Sequence, residues 1–378
     1  MTESPHILLT GGGTLGPVTP LLAVAEVWRG KDETVDFSWI GTKRGPERAL
    51  VEAYRIPFFS LTAPKLDRHR KWKWPFIPLF MLWSLYRSWQ LLRKIEPDVV
   101  MSAGGYVSVP VVIMARLMGM YVWIHQLDRV PGLANRMMAP FAHRVSVTVD
   151  ESLEAFSEKK RLDVGAVVRP GMWQGDSKQA RQKLSLPKQD GRLTILVFGG
   201  GTGAQSLNDM MAAIGSDLVD KMDVIHLTGK GKWDPIFETF GDRYVALEFL
   251  GAGMANALTL ADIVVGRAGM GTVMELSVLK KPSILLPLPN TDQLGNARML
   301  EECDAAKIVR SANPQILKQE IERLVEDDQL RHTYGRRIGM LFYAHGAEKI
   351  VDELRRVLRP RTVLDEESMH GDADEETY

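Results

Sequence analysis

A segment in the second half of the chain joins a glycine-rich loop to a helix that carries a carboxylate. Residues 266–271 follow the apolar run Ile263-Val264-Val265, and Glu275 lies one turn into a helix predicted to start near Gly271. Such a loop suits a phosphate, because it offers free backbone N–H groups and the positive end of a helix dipole. A glutamate one turn further along can accept hydrogen bonds from two adjacent ribose hydroxyls. The segment therefore predicts a nucleotide site, although glycines after a strand also serve simple turns.

The same order of strand, glycine loop and helix opens each half of the chain. Residues 11–16 follow a predicted strand at 6–10, and residues 199–203 follow a predicted strand at 193–198. The first loop satisfies GxGxxG, the fingerprint of a dinucleotide site, which also needs an acid at the end of the next strand. The sequence there is Gly41-Thr42-Lys43-Arg44, without an acid. NAD binding is therefore disfavoured, and we expect bare backbone that a substrate approaches closely.

A polar segment follows another predicted strand, at residues 121–124. It begins His125-Gln126-Leu127-Asp128. Side chains at the carboxyl ends of parallel strands sit where open α/β sheets bind their ligands. His125 and Asp128 are therefore candidates for proton transfer, and the alternative is that Asp128 caps the next helix.

Residues 65–80 combine basic and aromatic side chains. The basic residues surround two tryptophans and precede a mixed apolar run; they are Lys65, Arg68, Arg70, Lys71 and Lys73, beside Trp72 and Trp74. A protein resting on an anionic bilayer exposes such residues. Nucleic-acid stacking uses similar ones, but the chain balances 47 Lys and Arg against 47 Asp and Glu, which gives no whole-chain case for that partner. We expect membrane contact at 65–80 and an ordinary core helix at 83–95.

Length and composition set the broad class. A chain of 378 residues is long for one core, so two domains are expected. The single cysteine, Cys303, excludes an internal disulfide and fits a reducing compartment. The histidines show no metal-ligand spacing, no apolar run reaches the roughly 18 to 20 residues of a spanning helix, and no signal peptide is visible. We expect a soluble cytoplasmic protein without a metal or cofactor.

The repeated openings predict an α/β protein of two Rossmann-like domains whose parallel sheets face each other across a cleft. We expect an N-terminal, membrane-associated acceptor domain at residues 1–168 and a donor-binding domain at 169–344. The amphipathic helix at 345–360 is expected to pack back on the first domain. The acidic, low-complexity segment 361–378 is expected to be disordered.

With these motifs in view, the chain resembles the MurG family of GT-B enzymes, the peptidoglycan glycosyltransferases that make lipid II. The resemblance covers roughly residues 5–358, and the combination of motifs is more specific than any one of them. The matching segments are residues 12–16, 104–108, 125–128, 132–135, 199–204, 267–275 and 293–297, together with Arg169.

The resemblance implies inverting transfer of N-acetylglucosamine from UDP-GlcNAc to undecaprenyl-linked lipid I, at the cytoplasmic face of the membrane. It implies that no metal is required, because backbone dipoles and arginine offset the charge of the leaving diphosphate. It also implies a set of binding residues. They are Glu275 at the ribose, Phe249 and Leu250 at the uracil, Thr14, Arg267, Gly269, Gly271 and Thr272 around the diphosphate, Gln293 and Asn296 at the sugar hydroxyls, and, as further substrate-binding residues, Gly16, Asp128, Gly201 and the interdomain Arg169.

Two departures from the family pattern concern the catalytic base. The family usually has a histidine, its proposed base, where this chain has Pro17, and Glu-Gln-Asn where it has Gln126-Leu127-Asp128. We therefore predict Asp128 as the base, with His125 or a group supplied by the acceptor as alternatives. Two further hypotheses stay open: another GT-B enzyme, either a glycolipid glycosyltransferase or a UDP-sugar 2-epimerase, and a catalytically silent membrane-bound relative.

Overall fold

The structure, a computed structural model, describes residues 4–31, 34–65, 75–188, 190–201 and 203–358. Most of the predicted basic and aromatic cluster, residues 66–74, lies outside these ranges. So does the predicted acidic tail at residues 361–378.

The first half of the chain forms a sheet of seven parallel strands in the order β3-β2-β1-β4-β5-β6-β7. Its strands are β1 His6–Thr10, β2 Asp36–Thr42, β3 Phe58–Leu61, β4 Val99–Ser102, β5 Tyr121–Gln126, β6 Arg144–Val147 and β7 Arg161–Asp163. Its helices are α1 Thr19–Lys31, α2 Glu47–Ala53, α3 Ile77–Ile95, α4 Ser108–Leu117 and α5 Leu133–Met138. The central strands are apolar and buried on both faces, as parallel strands covered by helices must be. The order reverses between β1 and β4, and such a switch point opens a crevice for a ligand.

The second half forms a sheet of six parallel strands in the order β10-β9-β8-β11-β12-β13. Its strands are β8 Thr194–Phe198, β9 Asp223–Leu227, β10 Tyr244–Leu247, β11 Ile263–Gly266, β12 Ser283–Leu285 and β13 Lys307–Ile308. The helices are α6 Ser177–Lys183, α7 Gln205–Val219, α8 Met254–Leu260, α9 Met270–Val278, α10 Gln293–Glu302, α11 Pro314–Glu326, α12 Asp328–Ile338 and α13 Gly346–Leu358. Here the switch point lies between β8 and β11. The predicted fold class, two Rossmann-like domains with parallel sheets, is confirmed.

The chain crosses between the two halves twice, and the crossings are hydrogen-bonded to each other. The amide of Ala166 donates to the carbonyl of Tyr343 at 2.9 Å, and the amide of Gly346 donates to the carbonyl of Ala166 at 2.9 Å. A Cβ atom at Gly165, where φ is +72°, would lie 2.5 Å from the carbonyl oxygen of Tyr343. Only glycine therefore fits this crossing.

The last helix, α13, returns to the first domain and packs on α1. Lys31 of α1 pairs with Asp352 of α13 at 2.6 Å. One amphipathic face of α13 is buried, through residues that include Ile350, Val351 and Leu354. This burial accounts for the end of the chain returning to the domain in which it began.

Helix α3 contains the core helix predicted for residues 83–95 and begins earlier, at Ile77. Its buried side includes Ser84 and Ser88, and the Ser84 hydroxyl donates to the carbonyl of Thr62 at 3.0 Å. Its large apolar side chains face outward, with Leu79 at 70% exposure, Leu82 at 64% and Trp83 at 45%. The core helix predicted for residues 83–95 agrees with the burial of Leu92 and Ile95 in the core of the first domain, whereas the exposed Leu79 and Leu82 precede that range. Of the helices that the structure describes, none combines the length and the apolar character that crossing a membrane requires.

Candidate active site

Glycine loops from the two domains meet where their sheets face each other. A Cβ atom at Gly201, after β8, would lie 2.2 Å from Cδ1 of Leu15, in the loop after β1. A Cβ atom at Gly271, in the first turn of α9, would lie 3.6 Å from the Thr19 hydroxyl of α1. Thr14 and Gly16 of the first loop are exposed beside this contact. The two predicted phosphate-facing loops therefore line one cleft.

The first turn of α9 provides the backbone for an anion. Gly269 precedes the helix with extended backbone, at φ −71° and ψ 138°, so the helix begins at Met270 as a free N-terminus without a side-chain cap. Gly271 and Thr272 are half-buried in that turn. Uncapped N–H groups at the positive end of the helix dipole favour a diphosphate.

Glu275 lies one turn further along α9, with its side chain 18% exposed. Burial raises the pKa of its carboxyl to about 7, and the charge of Arg169 opposes that rise. The nearest guanidinium nitrogen of Arg169 is 3.9 Å from Oε1. The carboxylate is thus poorly compensated in the free protein, which leaves it ready to accept hydrogen bonds from a ligand.

Arg169 lies between the domains, as predicted for an interdomain arginine. Its Nη1 donates to the hydroxyl of Tyr54 at 3.3 Å, and that hydroxyl lies 3.4 Å from a carboxylate oxygen of Glu26. Within the described part of the chain its buried Nε has no partner. Tyr54 and Glu26 carry no motif that the sequence could have shown, because only the fold brings them to Arg169.

Arg267 has an anchoring role that its sequence position did not predict. Its Nη2 donates to the Ser206 hydroxyl at 2.7 Å, and its Nη1 donates to the carbonyl of Leu286 at 3.0 Å. These bonds tie the end of β11 to α7 and to the segment after β12. Any contact with a diphosphate is therefore left to its remaining N–H groups.

The loop after β10 presents an aromatic ring to solvent. Phe249 is 68% exposed, and Leu250 beside it is half-buried. An exposed aromatic ring next to an apolar contact suits a planar base, which stacks on it. These are the two residues predicted to contact the uracil.

Helix α10 carries the two predicted sugar-binding residues. The side-chain oxygen of Gln293 accepts from the amide of Leu288 at 2.9 Å, and its Nε2 lies 3.9 Å from the position of a Cβ atom at Gly269. Asn296 is fully buried, and its Nδ2 donates to the carbonyl of Ala268 at 3.0 Å and to Asp128 at 2.9 Å. Only its Oδ1 has no partner among the described residues. The amide nitrogen of Asn296 is therefore unavailable to a sugar hydroxyl.

Asp128 faces this helix from the first domain. Its half-buried carboxylate accepts from Asn296 at 2.9 Å. Burial raises the pKa of this carboxyl to about 6; the Asn296 hydrogen bond opposes the rise and the charge of Asp292 adds to it. The alternative helix-cap role is wrong, because α5 begins at Leu133 and its N-cap is Gly132.

His125, the alternative candidate base, lies inside the first sheet. Strand β5 continues to Gln126 instead of ending at Ile124, which holds the ring inside the sheet, fully buried. Its Nδ1 lies 3.0 Å from the Ser146 hydroxyl and its Nε2 lies 3.3 Å from the Thr148 hydroxyl. Burial lowers the pKa of the imidazole to about 3. Its burial, its hydrogen-bonded surroundings and its lowered pKa make His125 a weaker candidate for the base than Asp128.

The sequence did not reveal the carboxylate that holds the first glycine loop. Glu47, the first residue of α2, is fully buried. Its Oε1 accepts from the amide of Thr42 at 2.6 Å, and its Oε2 accepts from the amide of Gly13 at 3.3 Å. A Cβ atom at Gly12 would lie 2.2 Å from Oε1. Five positions after β2 ends, Glu47 lies too far along the chain to match the dinucleotide pattern, and it binds backbone, not ribose.

Replacing Glu47 with glutamine is expected to lower stability by about 1–3 kcal/mol, because the new amide group turns an N–H donor toward backbone donors of the loop. Thermal unfolding measures this loss. The matched control is Glu52→Gln, an exposed glutamate on the same helix that pairs with Arg48. Equal melting temperatures for the two variants would show that the carboxylate does not hold the loop.

The loop after β4 packs on the first glycine loop from the opposite side. Gly105 has φ +94°, and a Cβ atom there would lie 2.7 Å from the carbonyl oxygen of Gly12. The Tyr106 ring covers Gly13, and Lys65 lies 5.9 Å from the centre of that ring. The first loop is thus held between Glu47 and the loop after β4. Over the ranges that the structure describes, no group of three or more His, Cys, Asp or Glu side chains could hold a metal ion.

Two family models match the chain. The glycosyltransferase family 28 N-terminal domain matches residues 7–147, and the glycosyltransferase family 28 C-terminal domain matches residues 194–350. Together they cover most of both sheets; strand β7 and Arg169 lie between the two matched ranges.

Two similar proteins from different bacteria have the same name. The UDP-N-acetylglucosamine–N-acetylmuramyl-(pentapeptide) pyrophosphoryl-undecaprenol N-acetylglucosamine transferase of Geobacillus kaustophilus is 36% identical over 330 residues, 85% of this chain and 90% of that protein. The enzyme of the same name from Clostridium perfringens is 31% identical over 93% of this chain and 98% of its own length.

Solved structures share the fold. The MurG crystal structure from Acinetobacter baumannii has a TM-score of 0.70 at 24% identity and covers 93% of this chain and 99% of its own. The Staphylococcus aureus MnaA–UDP co-structure has a TM-score of 0.67 at 14% identity, covering 94% and 97%. The identities to the named transferases, over nearly their whole length, show that the chain belongs to the MurG family of glycosyltransferase family 28.

Proposed function

We infer that this chain transfers N-acetylglucosamine from UDP-GlcNAc to undecaprenyl-linked lipid I and so makes lipid II for peptidoglycan. The observation that carries the inference is one cleft with a nucleotide-binding helix end on one wall and a carboxylate of raised pKa on the other. Glu275 and Asp128 belong to different domains of a chain that is 36% identical to a named transferase.

The donor is proposed to lie along the second domain. Phe249 and Leu250 contact the uracil, Glu275 accepts from the two ribose hydroxyls, and the N-terminus of α9 receives the diphosphate. Gln293 is proposed to reach the sugar hydroxyls, and the unpaired Oδ1 of Asn296, which is buried in the free protein, to bind one when the donor enters the cleft. As the glycosidic bond to the diphosphate breaks, negative charge develops on the leaving oxygen, and oriented N–H groups stabilise that charge.

The acceptor hydroxyl is proposed to attack the anomeric carbon from the first-domain wall, with inversion. A C–O bond forms as the bond to UDP breaks, and the hydroxyl proton passes to Asp128. A base works best when its pKa lies near the working pH. The raised pKa of about 6 brings Asp128 closer to that condition than an ordinary aspartate.

The release of UDP with and without lipid I tests the function. A transferase releases UDP only when the acceptor is present and forms a disaccharide-linked lipid. A 2-epimerase would convert UDP-GlcNAc without an acceptor, and a silent relative would bind UDP without turnover. Either of these outcomes would overturn the proposal.

The protein is further proposed to act peripherally, at the cytoplasmic face of the cell membrane. Support comes from the outward-facing apolar side of α3, where Leu79, Leu82 and Trp83 are exposed. In sequence the basic residues at 65–73 lie directly before this helix. Each basic residue near an anionic surface contributes about 1 kcal/mol, and salt weakens the contribution.

The double substitution Leu79→Glu/Leu82→Glu is expected to lower binding to anionic vesicles by at least about tenfold, because a leucine moved out of water contributes roughly 1.5–3 kcal/mol. Co-sedimentation measures the bound fraction. Ile316→Glu, an exposed apolar position on α11 of the second domain, serves as the control. Undiminished binding of the double variant would exclude α3 as the membrane contact.

The division of the chain into domains at residues 168 and 169 remains part of this proposal. The first crossing between the domains, at Ala166, lies just before this boundary, and α6, at Ser177–Lys183, is the first α-helix after it. The hydrogen-bonded crossings described above support a boundary there.

A further inference from the structure

Three consecutive residues after β5 contact the donor-domain helix α10. Asp128 accepts from Asn296 at 2.9 Å. A Cβ atom at Gly295 would lie 3.5 Å from the Val130 side chain. Between these two contacts in sequence, Arg129 pairs through Nη1 with Glu302, the last residue of α10, at 2.6 Å. One short segment of the acceptor domain therefore runs along the helix that begins with Gln293.

Arg129 also pairs within its own domain. Its Nη2 lies 3.5 Å from Oε1 of Glu151, which follows β6. One guanidinium thus stands between two carboxylates, one from each domain. Both carboxylates are more than half exposed, but Arg129 is only 24% exposed. Without the arginine, the two carboxylates would repel each other across the cleft.

We propose that Arg129 is a positioning residue, which fastens the segment bearing Asp128 to the helix that carries the sugar-binding residues. The inference rests on the proposed function. Because Asp128 and Gln293 belong to different domains, their relative placement depends on contacts across the cleft. Arg129 supplies a charged contact immediately beside the proposed base, so its removal displaces Asp128 from the acceptor while the residues proposed to bind the uracil and the ribose stay in place.

The size of the effect follows from the exposure of the partners. An exposed ion pair contributes about 0.2–1 kcal/mol, which corresponds to at most about fivefold. Charge reversal adds repulsion to the lost attraction, so we expect kcat to fall by about three- to tenfold. The affinity for UDP is expected to stay unchanged, since Phe249, Leu250 and Glu275, which are proposed to hold the uracil and the ribose, lie on elements of the second domain other than α10.

A charge exchange tests the proposal, with UDP-GlcNAc and detergent-solubilised lipid I as substrates of the full-length protein. Arg129→Glu and Glu302→Arg are each expected to lower kcat, with UDP affinity by calorimetry and the melting temperature unchanged. The double variant is expected to recover to within about twofold of the original kcat. Recovery is expected because a guanidinium introduced at position 302 can reach the carboxylates at both 129 and 151.

The matched control is Glu301→Arg, which makes the same charge change on the same helix. Glu301 pairs with Arg310, inside the second domain, so kcat should stay near normal. If the single variants keep full kcat, or the double variant is no better than they are, Arg129 does not position the base. A single variant that loses both kcat and melting temperature would likewise overturn the proposal. An original protein that releases no UDP with lipid I would instead refute the proposed function.

Discussion

Replacing Asp128 with asparagine is expected to lower kcat by at least about a hundredfold, because a positioned base is typically worth 10²–10⁴-fold and an amide cannot take a proton. The amide is close in shape to the carboxylate, and its oxygen can still accept from Asn296. UDP binding should therefore persist. Steady-state kinetics with calorimetric titration of UDP separates the two effects.

The pH dependence of the same enzyme supplies an independent check. Asp128 must be deprotonated to act, and burial raises its pKa to about 6. With UDP-GlcNAc at saturation, kcat should therefore rise with pH up to about 6 and level off above it. In Asp128→Asn this acid limb should vanish. Asp292→Asn is the control, because removing that charge should move the limb to lower pH while activity remains.

A variant at Asp128 with near-normal kcat would contradict the assignment. His125 would be a poor replacement, because the ring is fully buried and its pKa is lowered to about 3. Pro17 cannot accept a proton either. A group supplied by the acceptor would then be the remaining candidate from the sequence.

The second large effect is expected at Glu275. Glu275→Ala removes charge-assisted hydrogen bonds to the ribose worth about 1.5–3 kcal/mol, so UDP affinity should fall roughly ten- to hundredfold. Titration calorimetry on the folded variant measures the change. Glu301→Ala, an exposed glutamate of α10 outside the cleft, is the control. UDP affinity that survives in Glu275→Ala would remove the ribose assignment.

The same carboxyl should destabilise the protein that lacks UDP. Its folded-state pKa is about 7, above the ordinary 4.5, because burial disfavours the charged form. The folded state therefore binds this proton more tightly than the unfolded state does. The stability gained from the bound proton is fully present below pH 4.5 and is lost as the pH rises through about 7. Glu275→Gln should consequently have a higher melting temperature than the original protein at pH 8. Near pH 4 the melting temperatures of the two proteins should be the same. Binding sites often retain such destabilising groups.

Local patterns in the sequence were sufficient to predict the fold class, the candidate nucleotide site and the family of this protein. A strand, a glycine loop and a helix are neighbours along the chain, so the openings at 6–28 and 194–219 and the site at Glu275 were visible without a structure. The two-domain α/β fold followed from repeating that unit. The motifs then indicated the family, since residues such as Gly269 and Glu275 keep a short and fixed spacing.

Only the tertiary structure decided which side chains meet and which are buried. Asn296 and Asp128 are 168 positions apart, and no periodicity connects them or predicts that Arg129 joins two domains. The outward apolar face of α3 and the burial of His125 depend likewise on what packs against each element. Backbone conformation is a local property of a few residues, whereas burial, pairing and the resulting pKa values arise from long-range contacts. The sequence therefore identified the chemical groups, and the fold determined which of them could react.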